Sequence, residues 1–152
     1  MGIRPGGDVK YRKEVIIMSE LVLYYSFSGN TKLLAEQFAG ENGLALCEVR
    51  TAKKLGKFAA YTAGCFKAIK GEGMPIEALS TSLSSLEAAH IFAPIWAGGI
   101  APPMNSALAL LPKGTKLTLH MVSGSGSSNQ DKIAERLQNM GMEVAGYEDI
   151  RK

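Results

Sequence analysis

Tyr24-Tyr25-Ser26-Phe27-Ser28-Gly29-Asn30-Thr31 is the stretch that decides the fold. Upstream, Leu21-Val22-Leu23-Tyr24-Tyr25 is a short apolar run, partly β-branched and aromatic, and reads as a buried strand. Downstream, Leu34, Ala35 and Phe38 fall on one face of a helix over 31–39, with Gly40 where a helix would stop. A strand thus passes into a helix through a short, mostly polar turn. The hydroxyls of Ser26, Ser28 and Thr31, the Asn30 amide and free backbone N–H groups can surround an anion there, helped by the helix dipole. Gly29 lets the backbone come close to that anion. Capping the helix needs one hydroxyl, not three at this spacing. The turn holds no lysine, so it is no Walker A site, and no GxGxxG, so it is no dinucleotide fingerprint.

The same alternation continues along the chain. Leu44–Val49 reads as a second strand. Residues 52–70 carry Leu55, Phe58, Thr62, Cys65, Phe66 and Ile69 at roughly helical spacing, although Gly56 and Gly64 weaken that helix. Residues 71–85 are rich in Gly, Pro and Ser and read as a connection. His90–Ile95 is a third strand. Pro102 and Pro103 open a helix with Met104, Ala107, Leu108 and Leu111 on one face, ended by Pro112 and Gly114. Leu117–Val122 is a fourth strand, and Ser123–Ser128 reads as a flexible loop. A capping box of Ser128 and Asp131 then starts a helix lined by Ile133, Leu137 and Met140. Met142–Ile150 is a fifth strand. Strands alternating with helices imply an α/β fold, with a parallel sheet and right-handed crossovers.

In such sheets ligands sit beyond the carboxyl ends of the strands. Besides the turn at 26–31, two other loops leave strand ends with unusual composition: Pro94-Ile95-Trp96-Ala97-Gly98-Gly99, which holds the only tryptophan, and Ser123-Gly124-Ser125-Gly126-Ser127. Trp96 offers an aromatic surface for a flat π system, and Gly98 and Gly99 allow close backbone approach.

These three loops, in this order, resemble those of the flavodoxin family. The likeness covers about residues 20–150. In that family a Ser/Thr-x-Ser/Thr-Gly-x-Thr turn after the first strand binds the FMN phosphate, as Ser26, Phe27, Ser28, Gly29, Asn30 and Thr31 would here. The resemblance further implies that Pro94, Ile95, Trp96, Ala97, Gly98 and Gly99 lie beside the isoalloxazine, and that Ser123, Gly124, Ser125 and Gly126 touch its other side. It implies a flavodoxin-like three-layer sandwich on a five-stranded parallel sheet of order 2-1-3-4-5. Two departures stand out. The third loop lacks the tyrosine that covers a flavin face in electron carriers, and the final helix of the family is absent, because the sequence ends at Lys152. The sheet face left partly open calls for cover from residues 1–17 or from a second subunit, hence a homodimer.

The remaining composition sets bounds. A chain of 152 residues suits one domain, here 18–152, preceded by an extension over 1–17 that lacks strand–helix punctuation. No apolar run approaches the roughly 20 residues of a membrane span, and no secretory signal is seen, so a cytoplasmic protein is expected. Cys47 and Cys65 form no CxxC and read as reduced thiols. Of the net charge of +3, residues 1–17 carry +2, leaving the rest nearly neutral, which argues against nucleic acid. His90 and His120 lack a neighbouring carboxylate or cysteine cluster in the sequence and read as structural, with no metal site. Arg50, Lys53, Lys67 and Lys70 read as solvated charges. No acid or base stands out as catalytic.

The function implied is electron transfer through bound FMN, with a redox protein or a small acceptor such as a quinone as partner. The alternatives are an FMN-dependent NAD(P)H:quinone-type oxidoreductase, with NAD(P)H as donor, and a binding module of the same fold without cofactor.

Overall fold

The first strand, β1 (Glu20–Tyr24), lies inside a parallel sheet because every residue after Glu20 is apolar enough to be buried on both faces. The coordinates, a computed structural model, describe residues 19–152. The extension over 1–17 therefore lies outside the described residues. After β1 come α1 (Asn30–Asn42) and β2 (Ala45–Glu48). A continuous helical segment follows, made of α2 (Lys57–Ala59), a π-helical turn (Ala60–Gly64) and α3 (Cys65–Lys70). Then come β3 (Ala88–Trp96), β4 (Gly99–Ile100), α4 (Pro102–Leu108), β5 (Lys116–Ser123), α5 (Gln130–Asn139) and β6 (Glu143–Arg151).

The sheet order is β2-β1-β3-β5-β6, all parallel, with β4 folding back antiparallel on β3. The five parallel strands thus follow the expected order 2-1-3-4-5, and the fold is flavodoxin-like. The register aligns Leu21 with Ala45 on one side and Ala89 on the other, and Ala89 with Leu117.

The two faces of the sheet are covered unequally. Leu21, Leu23, Ile91, Leu117, Leu119 and Met121 belong to the larger core, with Met104, Ala107 and Leu108 of α4 and Ile133 and Leu137 of α5. The opposite face holds the smaller cluster, in which Val22, Tyr24 and Phe92 meet Ala35 and Ala39 of α1. Tyr24 and Tyr25 are both buried, at 3% and 5% exposure, one in each cluster.

Several local expectations are corrected. Gly40 does not stop α1. The helix runs to Asn42 because the left-handed residue its end requires is Gly43, at φ 63°, whose N–H bonds to the Ala39 carbonyl. The helix drawn over 52–70 begins at Lys57, and its apolar residues face outward. Phe58 and Tyr61 are each 81% exposed and Phe66 69%, while Ala60, Gly64 and Ala68 turn inward. Small residues there let the helix backbone press on the sheet edge, which large side chains would prevent. The third strand holds Pro94 and Ile95 as expected and runs on through Trp96, so only Ala97 and Gly98 turn between it and β4. Helix α4 ends at Leu108, ahead of Pro112. No side chain caps α5, whose N-cap is Asn129, so the capping box of Ser128 and Asp131 is not formed.

Candidate functional site

The three loops singled out in the sequence all leave the carboxyl ends of adjacent strands β1, β3 and β5. At the first, Gly29 takes φ 102° and serves as N-cap of α1. Its N–H donates to Ser26 Oγ at 3.0 Å, and Asn30 Nδ2 donates to Ser28 Oγ at 3.1 Å. No side chain caps α1, so the N–H groups of its first turn have no side-chain acceptor. A Cβ built on Gly29 would meet nothing within 4 Å, so the mouth of the turn is open. Phe27 and Ser28 are exposed, Ser26 and Asn30 half-buried, and Thr31 buried at the base.

The second loop is a tight hairpin rather than a long excursion. Trp96 pairs with Gly99 across a two-residue turn in which Ala97 has φ 51° and Gly98 φ 86°. Two successive left-handed residues mark a type I′ turn. Ala97 is the one non-glycine at positive φ among the described residues, so local strain sits at this turn. Gly99 is required by packing, since a Cβ there would lie 2.1 Å from the Ala68 carbonyl oxygen. The Trp96 ring meets Phe27 edge-on at 5.7 Å and Tyr25 edge-on at 6.2 Å. Burial pushes the Tyr25 phenol up to about 12, so it stays neutral near pH 7.

The third loop carries its own hydrogen bonds. The Ser123 hydroxyl accepts from the N–H groups of Gly126 and Ser127 at 2.9 and 3.2 Å. Ser128 Oγ donates to Asp149 Oδ1 and pairs with the Tyr147 hydroxyl, both at 2.5 Å, which is why Ser128 does not cap α5. Burial raises the Tyr147 phenol above its ordinary value. The Asn129 N–H donates to Gly98 O at 2.9 Å and ties the third loop to the second. Gly124 and Ser125 are exposed, so this loop presents no aromatic cover.

Between the first two loops and the 57–70 helical segment lies an apolar hollow of about 560 Å³, within the usual range of roughly 300–1,000 Å³ for ligand pockets. Phe27, Phe58, Tyr61, Cys65 and Trp96 line it, with Lys57 at its edge. The contribution of the 57–70 segment was not foreseen. The exposed aromatics of an inverted amphipathic helix are the signal that, read differently, marks it.

Away from these loops, the register builds a polar chain across the smaller-core face. His90 Nδ1 and His120 Nε2 lie 3.1 Å apart, His90 Nε2 lies 3.1 Å from Glu20 Oε2, and His120 Nδ1 bonds Glu148 Oε2. Glu20 and Glu148 are thus the carboxylates that the sequence order concealed. Phe92 stacks on His120 at 4.2 Å, and Phe38 of α1 packs over both imidazoles. Among the described residues no group of three or more His, Cys, Asp or Glu is arranged to hold a metal ion. No helix among them is long and apolar enough to cross a membrane.

No family model and no curated protein matches the chain. Solved structures do. A flavoprotein from Lactobacillus acidophilus, crystallised in complex with FMN, is 22% identical, with a TM-score of 0.67 over 86% of this chain and 91% of its own. A protein assigned as a flavoprotein from Bacteroides eggerthii is 17% identical, with a TM-score of 0.71 over 86% of each chain. One so assigned from Bacteroides uniformis is 23% identical, with a TM-score of 0.62 over 85% of this chain and 87% of its own. At these identities the likeness fixes the fold.

Proposed function

We propose that this chain binds FMN non-covalently at the carboxyl edge of its sheet and transfers electrons through it. The observation that carries the reading is the convergence of three loops at the ends of β1, β3 and β5, one of them an uncapped helix start with an open glycine turn. The complex of the Lactobacillus acidophilus flavoprotein with FMN gives it independent support.

The residues present fit the group. A phosphomonoester is an anion rich in acceptors. The turn at 26–31 offers first-turn N–H groups and an Asn30 amide, with room above Gly29. In this reading, backbone of the 96–99 hairpin and of 123–126 would meet the ring edge. Trp96 and Phe27 supply aromatic surface. Flavin, when bound, supplies the redox chemistry. The chain's part is to hold it, exclude water on the apolar side and leave the Ser/Gly side of the third loop open.

A second reading, an NAD(P)H:quinone-type oxidoreductase, has one observation in its favour: an apolar, aromatic-lined hollow beside Trp96 that suits a small planar acceptor. Steady-state oxidation of NAD(P)H with a soluble quinone separates it from a carrier, which would not turn over.

The phosphate-loop assignment is tested by comparing FMN with riboflavin, which lacks the phosphate. FMN is expected to bind the wild type more tightly. Asn30→Ala and Thr31→Ala are expected to weaken FMN by about 1–3 kcal/mol and riboflavin little. Equal affinity for the two flavins would remove the assignment.

A further inference from the structure

The segment over 49–71 contains Arg50, Lys53, Lys54, Lys57, Lys67 and Lys70 and no acidic residue, in a chain whose total net charge is only +3. The same segment carries the exposed apolar side chains Phe58, Tyr61, Phe66 and Ile69, at 81%, 81%, 69% and 46% exposure. The two patterns coincide in space. Lys57 borders the hollow with Phe58 and Tyr61, and Lys54 lines the adjoining groove with Ser26 and Phe27, where Arg50, Glu48 and Glu77 also stand. Among the described residues, Lys53, Lys54, Lys57 and Lys70 form no ion pair. Arg50 pairs with Glu48, and Lys67 approaches Glu72 at 4.0 Å. A soluble surface seldom leaves so many large apolar groups together without a partner.

We infer that the outward face of the 57–70 helix, beside the hollow, docks an acidic protein, one that presents carboxylates around an apolar centre. Charge complementarity sets the sign of the partner. A second copy of the chain is disfavoured, because a two-fold interface sets this patch against itself and lysine against lysine. That the partner is an electron carrier rests on the flavin reading; that it is acidic rests on the surface alone.

The test uses the full chain, loaded with FMN, and two redox probes of opposite charge: an acidic plant-type [2Fe–2S] ferredoxin and a basic cytochrome c. Binding is read by surface plasmon resonance or calorimetry, at low and at raised salt. The ferredoxin is expected to bind in preference to the cytochrome, with affinity falling about tenfold or more as salt rises. Lys53→Glu/Lys67→Glu/Lys70→Glu is expected to abolish that binding, and Phe66→Ser to weaken it at all salt concentrations. None of these residues lines the hollow, so thermal unfolding and FMN affinity should stay at wild-type values. Three results would overturn the inference: no preference for the ferredoxin, binding insensitive to the charge reversals, or the same face binding phosphatidylserine vesicles or a second copy instead. If ferredoxin binds but FMN does not, the flavin reading falls and the docking surface stands. If FMN binds and ferredoxin does not, the surface falls alone.

Discussion

The indole of Trp96 rests against the backbone of Gly64. A Cβ built at Gly64 would lie 2.9 Å from Trp96 Cζ3 and 3.1 Å from Cε3. That contact couples the hairpin at the end of β3 to the π-helical turn, and so fixes the wall of the hollow. Gly64→Ala is therefore expected to displace the ring. The gain in helix propensity, about 1 kcal/mol, is outweighed by an overpacking cost of about 1–3 kcal/mol. Urea denaturation should show a net loss of stability, and Trp96 fluorescence in the folded state should shift. Wild-type emission and stability would mean that the ring is not held there.

Ala97 occupies a left-handed position that a type I′ turn normally gives to asparagine or glycine. Ala97→Asn should stabilise the fold by about 1 kcal/mol, by removing left-handed strain of roughly 1–2 kcal/mol at most. A thermal melt checks this. A decrease in melting temperature would place another constraint on that side chain.

Ser128 links the third loop to β6 through Asp149 and Tyr147. Ser128→Ala leaves the partly buried Asp149 carboxylate one donor short, and the expected cost is about 1–3 kcal/mol. Because the Asn129 N–H also holds Gly98, hydrogen exchange should rise at both loops. Exchange confined to the third loop would show that the two do not move together.

The His90–His120 chain gives stability a pH dependence. Burial holds His120 below its ordinary 6.5, outweighing the Glu148 bond that pulls it up. As pH falls through 6.5 the unfolded chain takes up a proton at this site that the folded chain does not, so stability is present above that pH and lost below it. With His120 neutral, its Nδ1–H donates to Glu148, and its Nε2, an acceptor, lies 3.1 Å from His90 Nδ1. Denaturation at a series of pH values should show the fall in the wild type and a shallower one in His120→Gln. Identical slopes would remove His120 as the cause.

The sequence made the central strands legible because β1, β3 and β5 are largely apolar runs with a glycine-containing or polar break after them. Leu21–Tyr25 are buried on both faces, and Leu117–Val122 are buried but for Thr118. Strand order came only from the resemblance to the flavodoxin family, and the observed order agrees with it. Periodicity misled over 57–70. It finds a helix but not which face is inward, and here the small residues Ala60, Gly64 and Ala68 took that face, with Trp96 packed against Gly64 and Gly99 against the Ala68 backbone. Glu20 and Glu148 were hidden for another reason. Their approach to the histidines depends on the register between β1, β3, β5 and β6, which no local pattern encodes.

The most direct measurement is an absorption and fluorescence titration of FMN with the purified chain. One flavin bound per chain, with resolved visible bands, quenched flavin emission and quenched Trp96 fluorescence, is the result expected of a site between these loops. Free-flavin spectra and unchanged Trp96 fluorescence with FMN in excess would contradict it.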